Sequence, residues 1–209
     1  MTWKDAFNST PYKLYLALNL IALVGFVLLL PGFFNDVIQP KPGIQLNDWF
    51  MNLFEPRDWS TFIFIIIFAA PALFFLTNFR NPEAVLLSLQ CYVIVNYMRV
   101  ASIYLFTLEA PDGLIALNDP FLAKVAYGGN AVFVKDLFFS GHTSTLAIVY
   151  FIEKRKSLKT ILLLLTIIIG LLLIWQRVHY TIDIIGAWVI TWLVFKAIQH
   201  INSRSFLID

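Results

Sequence analysis

Two histidines and an aspartate carry the clearest chemical signal in this chain. His142 lies in the run Ser140-Gly141-His142-Thr143, and His179 and Asp183 bracket the run His-Tyr-Thr-Ile-Asp. Residues four apart share one face of a helix. A carboxylate at Asp183 therefore holds one ring nitrogen of His179 and turns the other toward a substrate. That is the orienting logic of a nucleophile or base. His142 comes from a separate segment and fits the partner acid. Gly141 lets a substrate approach the backbone, and the first N–H groups of a helix beginning there face an anion. Arg99 and Arg177 supply fixed positive charge, and guanidinium suits phosphate oxygens. This set points to phosphoryl chemistry rather than acyl transfer.

The elements that must position these residues are membrane helices. The chain has 209 residues, 59% hydrophobic and 13% charged, with a mean hydropathy of +0.76. So few charges cannot cover that much apolar surface in water, so the natural solvent is lipid. A span needs about 20 predominantly apolar residues. Six segments are expected: 12–34, 60–79, 84–108, 137–151, 158–175 and 180–198. The fourth is the shortest and begins with polar residues. The fold expected is all-α, a single membrane domain over residues 1–209 with a catalytic part at about 84–198. Residues 35–59 carry Pro40, Pro42 and an aromatic run, Trp49, Phe50 and Phe54, and look interfacial. Residues 109–136 form a long loop by their breakers. The first 15 residues read as a polar lead-in rather than a cleaved signal. Cys91 is the only cysteine, so no intramolecular disulfide forms.

Lys and Arg placement sets the expected orientation. One side collects Lys4, Lys13, Arg80, Lys154, Arg155, Lys156, Lys159, Lys196 and Arg204. The other holds Lys41, Arg57, Lys124, Lys135 and Arg177 over longer loops. Both termini are thus expected in the cytoplasm. Ionisable residues within spans are costly and mark function by default. Arg99, His142, His179 and Asp183 come from three segments, yet fall at similar depth on the non-cytoplasmic side. Scattered polar residues have no reason to agree in depth.

The runs Asp136-Leu-Phe-Phe-Ser-Gly-His-Thr143 and His179-Tyr-Thr-Ile-Asp183 resemble the sphingomyelin synthase family. That family lies within the type 2 phosphatidate phosphatase superfamily. The stretch Arg99-Val-Ala-Ser-Ile-Tyr-Leu-Phe-Thr-Leu-Glu-Ala-Pro111, which includes Tyr104, is similar to the family segment before its large luminal loop. The chain lacks the superfamily's Lys-x6-Arg-Pro motif and has Phe139 where proline precedes Ser-Gly-His. Both departures favour the synthase branch. Val134 and Lys135 stand where synthases carry Cys-Gly. The resemblance implies a phosphohistidine at His179, activation by Asp183, and proton handling at His142. It implies no metal and no other cofactor. Arg99, Ser140, Gly141, Arg177, Tyr104 and Asp136 are candidate phosphate or substrate contacts.

Plainer roles compete for several of these residues. Ser140 suits a helix N-cap as well as a phosphate, and Asp136 suits a helix N-terminus. Arg99 fits a loop-pairing role, Asp183 a structural ion pair, and His200 the interface. The Lys154–Lys159 cluster reads first as a topology signal. The partners expected are membrane lipids, with no nucleic acid and with oligomers allowed. Transfer of a phospho-head group to a ceramide-like or other lipid alcohol is the first reading. Hydrolysis at the same site is the second, and a non-catalytic lipid-binding protein the third.

Overall fold

The computed structural model of the protein describes residues 1–117 and 134–204. The middle of the long loop, with Pro120, Lys124, Gly128 and Gly129, lies outside the described residues. Of the described residues, 73% are helical. Among the described residues the only extended pairing is a parallel bridge between Ile44 and Leu108. The helices are α1 (Trp3–Asn8), α2 (Thr10–Gly32), α3 (Ser60–Asn78), α4 (Pro82–Leu105), α5 (Gly141–Ile152), α6 (Lys156–Trp175) and α7 (Thr181–Arg204). Five of them, α2, α3, α4, α6 and α7, are long and apolar enough to cross a membrane.

The fourth expected span, 137–151, is where the structure differs. Only Gly141–Ile152 is helical, and 12 residues reach about 18 Å. The reason lies on α4. Arg99 Nε donates to Phe139 O (2.9 Å) and Ser102 Oγ donates to Phe138 O (2.8 Å). Those two carbonyls are taken, so the chain bends at 138–139 and the helix begins only after Ser140. Short as it is, α5 is the hub: it packs on α3, α4, α6 and α7. Leu146, Ile148 and Val149 are buried in the main core with Leu162, Ile169 and Ala187. α2 instead packs on α4 and leaves most of its surface exposed, as suits a lipid-facing helix.

Sequence sets the helix starts. Asn81 Oδ1 accepts from Ala84 N, and Pro82 opens α4 where its missing N–H costs nothing. Ser140 Oγ accepts from Thr143 N at the start of α5. Lys41 Nζ and Lys135 Nζ meet the 104–109 segment at one end. At the other end Arg155 Nη1 reaches Thr77 O (3.3 Å).

Connections on the histidine side form a roof. Ile44 N donates to Thr107 O and Glu109 N to Ile44 O, both at 3.0 Å. Gly43 is required there, because a Cβ would sit 2.7 Å from the Leu108 carbonyl carbon. Fully buried Gln176 ties three segments: Oε1 accepts from Trp59 N (2.7 Å), while Nε2 donates to Ser60 Oγ (2.9 Å) and Ile115 O (3.1 Å).

The opposite end of α5 is closed by Glu153, only 2% exposed. It accepts from Asn78 Nδ2 (2.9 Å), from the backbone N–H of Arg155 (2.8 Å), and from Arg155 Nε (2.9 Å) and Nη2 (2.7 Å). Hydrogen bonding to Arg155 outweighs desolvation and pulls its pKa from 4.5 down to about 2. A depressed carboxylate stabilises the fold fully above its unfolded pKa and loses that contribution as pH falls through the folded one. Wild type minus Glu153→Gln stability, measured by thermal unfolding in detergent, is therefore expected to shrink as pH falls from 4.5 toward 2. A difference flat over that range refutes the assignment.

Candidate active site

The site forms where the starts of α5 and α7 meet the C-terminal half of α4. At the start of α7, Asp183 is the third helical residue, and its Oδ2 accepts from Tyr180 N (3.0 Å). The same oxygen lies 3.1 Å from His179 Nδ1. One carboxylate thus stabilises the helix terminus and fixes the imidazole. Nδ1 donates to it, so Nε2 is left as the basic nitrogen. His179 and Asp183 are both essentially buried. Asp183 Oδ1 is buried with no hydrogen-bond partner among the described residues.

His142 sits in the first turn of α5, half-buried. Its ring centroid is 6.3 Å from that of His179, at an interplanar angle of 66°. The two rings therefore meet edge to face at the starts of α5 and α7. Ser140 N donates to Asp183 O (3.2 Å), which locks the two helix starts together.

Arg99 reaches into the same place from α4. Nε bonds Phe139 O, Nη1 bonds Asn96 Oδ1 (3.2 Å), and Nη2 pairs with Asp136 Oδ1 (2.5 Å). Three of its five N–H groups are engaged, leaving one on each terminal nitrogen. The guanidinium lies against Gly141: a Cβ there would be 2.7 Å from Arg99 Cζ. Beside it, Ser140 Oγ accepts from Thr143 N, and the N–H groups of Gly141 and His142 have no intrahelical partner. Cation and helix N-terminus thus converge on one spot.

Seven expected site residues come together: Arg99, Asp136, Ser140, Gly141, His142, His179 and Asp183. Arg177 and Tyr104 are engaged elsewhere. Arg177 has φ 59° at the end of α6. Val178 N bonds Leu173 O and Arg177 N bonds Ile174 O, a helix ending that normally takes glycine. An L-residue in that conformation costs roughly 1–2 kcal/mol. Its guanidinium offsets this by binding Asp112 O (2.9 Å), Asn52 Oδ1 (3.3 Å) and Phe54 O (3.4 Å). Arg177 fastens the roof. Tyr104 is half exposed, with Lys41 Nζ 4.2 Å from its ring centre.

Several residues that sequence reasoning passed over shape the site. Asn96 holds Arg99 from one turn back, and a polar residue three positions before the arginine in an apolar helix was a usable signal. Asp48 takes Thr181 N (2.5 Å) and Thr181 Oγ1 (3.0 Å), supplying the start of α7 from the far loop. Tyr180 Oη donates to Glu109 O (3.1 Å) and accepts from Leu46 N (3.3 Å). Neither contact had a local sequence cue. Glu109 is held by Lys135 Nζ (2.8 Å) and Gly43 N (2.8 Å), and those bonds lower its pKa. Among the described residues no three His, Cys, Asp or Glu side chains gather as metal ligands.

Residues 135–201 match the family model described as PAP2 superfamily C-terminal. The match supports the type 2 phosphatidate phosphatase superfamily. It spans α5 to α7 with both histidines and the aspartate, and supports an integral-membrane lipid phosphatase or phosphotransferase. No curated protein matches the chain.

The Gly141–Arg99 contact gives a direct test. Gly141→Ala is expected to destabilise the protein in detergent by about 1–3 kcal/mol through overpacking against the guanidinium. In an Arg99→Ala background the same change is expected to cost much less. Equal cost in both backgrounds would show the two positions uncoupled.

Proposed function

We propose that the protein moves a phospho-head group from a phospholipid to a ceramide-like or other lipid alcohol through a phosphohistidine. The observation that carries this reading is the buried His179–Asp183 pair facing His142 across 6.3 Å. His179 Nε2 attacks phosphorus, the P–O bond to diacylglycerol breaks, and His142 gives its proton to the departing oxygen. His142, now neutral, takes the proton of the acceptor hydroxyl as that oxygen attacks the phosphohistidine and releases His179. Arg99 and the N–H groups opening α5 stabilise the charge on the phosphoryl oxygens. Asp183 favours the imidazole form that attacks.

The catalytic part is assigned to about residues 84–198, whose α4, α5 and α7 supply every one of these groups. Membrane lipids are its proposed partners. The positive-charge bias places the histidines on the non-cytoplasmic side, with both termini and the Lys154–Lys159 link in the cytoplasm. Six crossings are proposed, α5 spanning together with the non-helical residues 134–140. Hydrolysis is the second reading, and the family match favours it equally, because water in place of the lipid alcohol needs no change in these residues.

Purified protein given head-group-labelled phospholipid is expected to trap label in an acid-labile, base-stable form. His179→Ala abolishes it, and His142→Ala slows turnover by a factor of about 10²–10⁴. Adding ceramide should divert label into a new lipid. Label found only in water-soluble products, with or without ceramide, refutes transfer and leaves hydrolysis. Trapping that survives His179→Ala refutes the nucleophile.

A further inference from the structure

At the end of the bundle away from the histidines, the ends of α3, α4, α5, α6 and α7 surround a cleft of about 530 Å³. Its lining has two characters. Buried Leu87 and Phe195 with half-buried Phe151 form an apolar floor, and Lys154, Arg155 and Lys159 stand at the rim. We propose that this cleft seats the phosphate head group of an anionic phospholipid, taken from the leaflet facing away from the histidines.

The charges favour an anion. Two carboxylates line the cleft, Glu83 and Glu153. Glu153 is saturated by Arg155 and Asn78, which also uses up the arginine. Glu83 pairs with the amino group of Met1 (3.0 Å). Lys154 and Lys159 remain unspent by any carboxylate among the described residues, and Lys159 Nζ is steadied 5.1 Å from the Tyr150 ring centre. α6 begins between them with no side-chain cap, so its first N–H groups add to the positive potential.

The floor favours a lipid over a soluble anion. A head group resting on the rim places its glycerol and upper acyl carbons against Leu87, Phe151 and Phe195, at the level where lipid-facing helices end. Basic residues beside a membrane surface attract anionic lipids. The cleft lies at the far end of α5 from His142, so it is separate from the phosphoryl-transfer site.

The test uses the full chain in nanodiscs of mixed phosphatidylcholine and phosphatidylglycerol, with retained lipids counted by native mass spectrometry. Wild type is expected to retain phosphatidylglycerol preferentially. Lys154→Ala/Lys159→Ala should lower that preference about tenfold. Lys4→Ala/Lys13→Ala, the same charge change at the same end but outside the cleft, should leave it intact. Gln199→Trp fills the cleft while keeping every charge and the topology signal, and should lower the preference comparably. The proposal is overturned by no preference in wild type, by equal loss in both lysine pairs, or by preference surviving Gln199→Trp. Displacement by glycerol 3-phosphate at matched concentration would assign the cleft to a soluble phosphate and overturn the lipid.

Discussion

A helix of 12 residues reaches about 18 Å, and a bilayer hydrocarbon core is about 30 Å thick. Helix ends placed in an apolar medium need partners for their backbone groups. The surroundings of α5 follow from that demand. Four longer helices wrap it, and each end is met by polar groups from elsewhere in the chain. At its start stand Ser140, the Asp183 carbonyl and Arg99; at its finish stand Glu153, Asn78 and Arg155. The polar recess that catalysis needs is the same recess that the short helix leaves.

This constraint explains why so much chemistry gathers with so few residues. Asp183 serves a helix start and an imidazole with one oxygen atom. Arg99 holds residues 137–140 away from helix and still keeps two N–H groups free for an anion. Removing either role would disturb the other. The roof is fastened in the same economical manner: Gln176, Tyr180 and Arg177, within five residues of one another, each bind two outer segments.

Much of the site was legible because it is written in local spacing. His179 and Asp183 announce themselves four residues apart in an otherwise apolar segment. Arg99 stands out because charge inside a span is costly. The five long helices follow from run length alone. The shortness of α5 was not legible, since residues 137–140 are apolar enough to continue it. They are held out of the helix by hydrogen bonds from Arg99 and Ser102, about 40 positions earlier. Asp48 was missed for the same reason: its partner Thr181 is 133 residues away. Arg177 misled because a guanidinium near a proposed phosphate suggests a ligand, while its backbone conformation is invisible in a string of letters.

Gly141 owes its smallness to its contact with Arg99. The usual explanation for a glycine beside a catalytic histidine is room for substrate. Here the room is occupied by the side chain of another helix. The two positions therefore form one packing unit, although they lie 42 residues apart. A side chain at 141 presses on the guanidinium, and a shorter side chain at 99 leaves a gap over the glycine, so the fit of each residue is set by the width of the other.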